Sequence, residues 1–396
     1  MEKKLEKKFI DNLTTGQSEL LSRMRREKFE NYQDIETPEF KRIKLTDNKI
    51  PEYRPYNKNY LKDNTVHGSI VVKKMTDSLN NEKEIIEYFN YFSDSELDSG
   101  IDKKYTLLAE SLYNAGLFIK APAGEKFSIP IEAVYEFDKK NKFLIDNNLI
   151  VAEANSNLTV VFDYRLNDKN TEAFHNGLTR IVVKEGAVLN IIKVQRLNDK
   201  STNFDTNISV VENNGELNFI PIEIGAKSTI TSSENNLLDD GSSASISSIY
   251  FGDGDRKMDL SYRMNHSGRH SSSQIETKGV LKDRSEKVFR GDLYFKKGAV
   301  LANGSEREEV LMLDPTVKSD SIPALFTEED NVEGEHAVSA GQLDENRLFY
   351  LMSRGMDEKK AKMLVIEASF NPIFEKIPLN DLKGSVINEV KHRLES

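Results

Sequence analysis

Between Gly116 and Leu313 the chain repeats one phrase, a short apolar run followed by a break of Asn, Gly, Asp or Ser. The runs include Leu117-Phe118-Ile119, Ile129-Pro130-Ile131, Leu149-Ile150-Val151, Leu158-Thr159-Val160-Val161, Ile181-Val182-Val183, Ile208-Ser209-Val210-Val211, Leu217-Asn218-Phe219-Ile220 and Val310-Leu311-Met312-Leu313. Apolar runs of this length bounded by turn formers predict strands. Many short strands at near-even spacing leave a sandwich, a barrel or a β-solenoid. Two features favour the solenoid, although the pattern alone leaves a sandwich open. Glu185-Gly186 and Asn213-Asn214-Gly215 recur as turns opening the next strand, and the Ser/Asn-rich interval 226–248 suits stacked turns of small residues. Each turn of a solenoid buries its faces only against its neighbours, so the ends need caps. The helical segments on either side are placed to supply them.

Those flanks carry a different period. Gln17–Tyr32, Glu82–Phe92 and Lys103–Ala115 have helical spacing, with Pro38, Pro51 and Pro55 marking an extended stretch between the first two. After Gly341 Asp344 can cap a helix ending at Gly355. Asp357 can cap a second, with Ala361, Leu364, Val365 and Ala368 as its apolar face, stopping before Pro372. A third runs from about Asp381 through Val390. The resulting division is a helical and mixed region at 1–115, a β core at 116–341 and a C-terminal helical region at 342–396.

Composition excludes several functions. A net charge of −10 argues against nucleic acid, whose phosphates are held by Lys and Arg. No apolar run approaches the ~20 residues of a membrane-spanning helix, and Met1–Lys8, read as a solvated helix face, lacks the apolar segment of a secretory signal. The expected location is the cytoplasm. With no cysteine, the chain alone can form neither a disulfide, nor a thiolate nucleophile, nor a thiolate-ligated cluster.

Four motifs invite chemistry. Gly225-Ala226-Lys227-Ser228-Thr229 looks like the tail of a phosphate loop, but Pro221 and Ala226 stand where that loop needs glycine. A turn is the expectation, and no ATP hydrolysis. Asp239-Asp240, Asp253 and Asp255 offer hard oxygens suited to calcium, yet their spacing matches no EF-hand and is ordinary turn composition. His266 and His270 have the spacing of helical zinc ligands, but Gly268 and the strand pattern argue for a turn. His336 stands beside Glu335 and near Glu333 and Asp330. Neighbouring carboxylates favour the protonated ring, whereas a neutral imidazole can ligate a borderline metal; the alternative is a surface histidine on a solvated acidic loop.

Three blocks in order resemble the SufB/SufD scaffold proteins of iron–sulfur cluster assembly. The first is Tyr113-Asn114-Ala115-Gly116-Leu117-Phe118-Ile119 with Pro122, Gly124 and Pro130-Ile131. The second runs from His266-Ser267-Gly268 through Lys278-Gly279-Val280-Leu281 to Arg290-Gly291. The third comprises Ser321-Ile322-Pro323, Asp330-Asn331-Val332, His336, Gly341-Gln342-Leu343-Asp344 and Leu348–Gly355. The resemblance spans residues 110–396. It implies a right-handed parallel β-helix between helical regions, paired with a SufB-like chain as a heterodimer (or with itself in isolation). It also implies a SufC-like ABC ATPase bound to the C-terminal region.

No cofactor is expected on this chain alone; a transient iron–sulfur cluster would be shared with the partner scaffold, with His336, Glu335 and Glu333 at that interface and His336 the metal-ligating candidate. Lack of cysteine favours the SufD-like role. Gly334 stands where some relatives carry cysteine, and Ala337-Val338-Ser339 replaces the family's usual Gly-Ala-Thr. The ATPase interface falls on Arg347, Phe349, Tyr350, Met352, Ser353, Arg354 and Gly355, rich in the aromatic, Met and Arg residues that interface cores favour. Their other use is packing against the following helix, and the apolar ones are expected to divide between both. The competing function is a carbohydrate-active β-helix enzyme of the polysaccharide lyase type, using acidic side chains and calcium in a groove.

Overall fold

Residues 124, 155, 186, 214, 241, 270 and 301 all hold left-handed backbone, with φ between 51° and 76°, and lie 27 to 31 residues apart. Each donates its N–H to a carbonyl of the corresponding turn one level on, at 2.7–3.0 Å. Glycine and asparagine suit this conformation, which explains the Asn-Gly turns of the sequence. His270 and Leu301 do not, and are held there by the ladder on either side. This stacked column winds the chain. In the computed structural model, residues 10–11, 13–40, 42–43, 45, 50–77, 82–94 and 101–395 are described; the solvated helix face read at Met1–Lys8 lies outside them.

The strands are β1 (Val71–Lys74), β2 (Leu117–Ala121), β3 (Ile131–Phe137), β4 (Phe143–Ala152), β5 (Asn157–Leu166), β6 (Phe174–Val183), β7 (Val188–Arg196), β8 (Thr202–Val211) and β9 (Glu216–Glu223). They continue as β10 (Ser228–Leu237), β11 (Ser243–Gly252), β12 (Lys257–His266), β13 (Ser272–Leu281), β14 (Glu286–Phe295), β15 (Asn303–Met312), β16 (Lys318–Thr327) and β17 (Glu333–Gly341). Even-numbered strands β2 to β16 form one sheet in sequence order, and odd-numbered strands β3 to β17 the other. All these neighbours pair in parallel, so the core is the expected parallel β-solenoid, of eight turns, and the sandwich reading falls. Among the strands of the described residues only β1, which the sequence reading did not find, runs antiparallel, against β2.

Helices of 9 to 17 residues flank it: α1 (Glu19–Asp34), α2 (Glu82–Asp94), α3 (Lys103–Leu112), α4 (Glu345–Ser353), α5 (Glu358–Phe374) and α6 (Asn380–Glu395). They cover the sheets' outer faces rather than plugging the solenoid's ends, which corrects the expected capping. Phe29, Phe89, Leu107 and Leu108 pack with Phe118, Val151, Val182 and Phe204 on the even sheet. Ile366, Phe370, Phe374 and Val386 pack with Val161, Ile192, Ile222 and Phe251 on the odd sheet. The first end is closed by an extended segment, whose Tyr60 stacks on Tyr135 at 4.8 Å, and Tyr135 on Tyr164 at 4.9 Å. The last turn, β16 and β17, is open.

Two helix readings are also corrected. The helix expected to stop before Pro372 runs through it to Phe374. Proline forfeits one backbone bond, and the burial of Ile373 and Phe374 in the outer core offsets that loss. Its buried face is Ala361, Ile366, Phe370 and Phe374, while Leu364 and Ala368 are exposed; the sheet surface selected the face, not the local period.

Between the sheets an apolar core is interrupted by paired polar side chains. His175 bridges Asp146 and Asn203, at 2.6 Å each, and Lys193 meets Asp205 at 2.9 Å. Higher up, Lys287 Nζ donates to Glu308 Oε1 at 2.6 Å, and Tyr250 donates to the same oxygen at 2.8 Å. Lys287 and Glu308 are both 0% exposed. Removing one partner of a buried pair strands the other charge, at a cost of about 3–5 kcal/mol. Glu308→Ala is therefore expected to destabilise the chain by that order in urea unfolding, while the paired replacement Lys287→Met/Glu308→Leu stays much closer to wild type. Equal losses from both variants would contradict the pairing account.

Glu223 is buried between Gln195 and Thr231, and burial raises its carboxyl to about 7. The folded chain keeps a proton there that the unfolded chain releases near the usual 4.5. Its contribution therefore declines as pH rises from about 4.5 to 7 and is fully lost above that, by roughly 3 kcal/mol. Urea unfolding at pH 5 and pH 8 should show a smaller decline for Glu223→Gln than for wild type. An unchanged decline would remove Glu223 as its source.

Candidate functional site

The open end of the solenoid is built by β14 to β17. In the parallel ladder Gly334 lies level with Gly304 and His336 with Glu306. Alternation along the strand sends His336 to the inner face and Glu333 and Glu335 to the outer, where both are exposed. The structure therefore does not bring Glu333 or Glu335 to the imidazole. It brings Glu306, whose Oε2 lies 3.2 Å from His336 Nδ1.

Sequence reading missed Glu306 because the two residues are far apart in the chain. The signal that could have found it is the turn repeat itself, which stacks residues 27 to 31 positions apart.

The environment of this pair is dry and acidic. Glu306 is fully buried, and desolvation, with help from the nearby Glu308 charge, raises its carboxyl to about 7. Desolvation lowers His336 below the usual imidazole range, against the opposing pull of Asp292. That reverses the expectation that acidic neighbours would hold the ring protonated: burial outweighs them, and neutral imidazole is the ligating form. Glu306 Oε1 and His336 Nε2 are buried without a hydrogen-bond partner. Unmet buried polar atoms cost free energy, so each of the two can take a further partner. A Cβ at Gly334 would sit 2.7 Å from Leu325 Cδ1, so a side chain there would face inward beside the same end.

Around this end lies apolar surface. Leu325 is 42% exposed, Phe326 48% and Val338 42%. Strands β16 and β17 end their sheets, each paired on one side only. Exposed strand edges with apolar side chains favour association.

The second candidate surface is α4. Asp344 caps it as expected, accepting from the N–H groups of Asn346 and Arg347 at 2.9 and 3.3 Å. Gly355 ends it in the left-handed region at φ 93°. None of its residues is buried. Leu348 packs toward the core of α5 and α6, whereas Phe349 is 74% and Tyr350 57% exposed. Met352 and Met356 are exposed nearby, and the Arg354 guanidinium lies 5.3 Å over the Tyr350 ring. Arg347, Ser353 and Gly355 are exposed on the same short element. Phe349, Tyr350 and Met352, expected to divide between an interface and internal packing, are all exposed, and Leu348 is the residue of α4 packed against the core.

The remaining motifs resolve as turns and structural pairs. Residues 225–227 link β9 to β10, with Ala226 at φ 57° and Lys227 N–H bonded to Ser201 O at 2.7 Å. Asp253 pairs with Arg256 and Arg393, Asp255 with Arg284 at 2.8 Å, and Asp240 accepts from the Arg269 N–H. His266 is buried between Ser271 and Ser273, 2.8 Å from each, while His270 sits in the turn column. Among the described residues no group of three or more His, Asp or Glu side chains converges to hold a metal.

Comparison with known proteins follows this geometry. Residues 135–369 match the family model described as SUF system FeS cluster assembly, SufBD core domain. The chain is 28% identical over 296 residues to the iron–sulfur cluster assembly protein SufD of Bacillus subtilis, covering 74% of this chain and 67% of that protein. It is 27% identical over 309 residues to an iron–sulfur cluster assembly SufBD family protein of Staphylococcus saprophyticus, covering 78% and 66%. A family protein of Staphylococcus epidermidis is 26% identical over 311 residues, again covering 78% and 66%. About a third of each relative lies outside the match. The match covers most of the solenoid, including the whole of β14 to β17. This chain belongs to the SufB/SufD family, is SufD-like, and has a role in iron–sulfur cluster assembly.

Proposed function

We propose that this chain is a non-catalytic scaffold subunit of a cytoplasmic cluster-assembly complex, paired with a SufB-like chain and driven by a SufC-like ATPase. The observation that carries the reading is the open last turn. Its unpaired edges and exposed Leu325, Phe326 and Val338 surround an inner-face histidine whose Nε2 has no partner. A second scaffold chain continuing both sheets across that end covers the apolar surface and encloses His336. The transient cluster forms there as cargo. This chain contributes the His336 imidazole, and thiolate and carboxylate ligands come from the other, since no cysteine is present here. In purified form it hydrolyses no ATP; that energy comes from the ATPase docked on α4, where Phe349, Tyr350 and Met352 stand out from the packed core.

Two experiments test the two surfaces. Deleting residues 342–396 is expected to abolish binding of the ATPase subunit in co-purification, and Phe349→Ala, which removes no core packing, to weaken it by about 2 kcal/mol, of hot-spot size. Full binding after both changes would place the ATPase elsewhere. His336→Ala is expected to leave complex formation intact while lowering cluster yield in the reconstituted complex, measured as iron and sulfide retained. An unchanged yield would take His336 out of the site.

A further inference from the structure

We propose that Glu306 is the positioning residue for His336, accepting its Nδ1–H and thereby presenting Nε2 as the ligating nitrogen. The inference rests on the reading of His336 as a ligand and adds to it a residue the sequence did not point to.

Glu306 and His336 occupy the same register position on adjacent parallel strands, where side chains of one face stack about 4.8 Å apart. The ring is thus delivered over the carboxylate by backbone hydrogen bonding, not by a chance rotamer. Oε2 then lies within reach of Nδ1 at 3.2 Å.

The carboxylate is itself held. Glu306 is fully buried, and a Cβ built at Gly291 on β14 would lie 2.5 Å from its Cγ. Glycine at 291 therefore leaves the space that the Glu306 side chain fills. Two residues along β15, Glu308 is fixed by Lys287, Tyr250 and Ser321. The far side of the rung is thus anchored, and the Glu308 charge is not offered to the histidine.

The two nitrogens of the ring then differ. Nδ1 has an acceptor within reach, and Nε2 is buried with none. A ligating histidine characteristically donates its other ring N–H to a carboxylate, which fixes the tautomer and the ring's orientation. The arrangement here has that form, with the metal side left open. Among the described residues no other side chain hydrogen-bonds the ring.

The tautomer can be read in the full-length chain without any metal, by long-range proton–nitrogen NMR on histidine-labelled protein, with the His336 signal assigned from His336→Gln. At pH 8, where Glu306 is ionised and can only accept, wild type is expected to show the proton on Nδ1. Glu306→Gln, whose side-chain carbonyl can accept the same bond, should keep it there, whereas Glu306→Ala should move it to Nε2. A wild-type ring protonated on Nε2 overturns the proposal, and so does a tautomer indifferent to Glu306→Ala; because the wild-type spectrum is decisive by itself, a poorly folded variant does not rescue it.

In the reconstituted complex, Glu306→Ala should require about 10- to 100-fold more iron for half-maximal retention, the usual effect of losing such a partner. Glu306→Gln should stay nearer wild type. Retention equal to wild type in Glu306→Ala, alongside loss in His336→Ala, overturns the positioning role and leaves His336 in place. No loss in His336→Ala overturns the reading of the site itself, whatever the tautomer.

Discussion

Backbone hydrogen bonding between successive turns decides which side chains of this protein can meet. Once the left-handed column at positions 124 to 301 is in step, every strand residue is placed above one partner and below another. Inward positions must then agree in size and chemistry from turn to turn. Tyr60, Tyr135 and Tyr164 stack as a column, Asp146 finds His175, and Lys193 finds Asp205. Most of the interior polar groups find a partner on a nearby strand, although Tyr135 Oη and Asn203 Nδ2 stay unmet. At the last turn Glu306 Oε1 and His336 Nε2 are unmet as well, and there no further turn covers them.

The same constraint separates the two surfaces assigned to partners. At the open end, unfinished sheets and a half-satisfied pair coincide, which is why the proposal puts association and chemistry in one place. On α4 there is no unmet polar group to suggest chemistry. Its exposed aromatics and methionines stand on a short helix anchored mainly through Leu343 and Leu348.

Much of the architecture was legible from residues. The recurring turns Glu185-Gly186 and Asn213-Asn214-Gly215 marked the winding, and capping Asp344 and Asp357 located two helices. The site was legible only in part. His336 drew attention through its acidic neighbours Glu333 and Glu335, and those are the carboxylates that strand alternation turns away from it. Strand β1 went unseen because Val71–Lys74 is short and half polar, recognisable only by its pairing with β2. The polar centres of strands such as Asp146-Asn147-Asn148 read as breaks, since their burial is affordable only beside partners a full turn away.

What the sequence determined by itself is local: where glycine or asparagine permits a turn, where carboxylates cap helices, and that no thiolate is present to hold a cluster. The tertiary structure decided the rest. It chose the face of α5, carried that helix through Pro372, lowered the His336 imidazole by burial against the pull of nearby acid, and paired it with Glu306. Each of these depends on desolvation or on contact between residues distant in the chain. Neither can be read from neighbours in sequence, because both arise only when one turn of the solenoid is laid against the next.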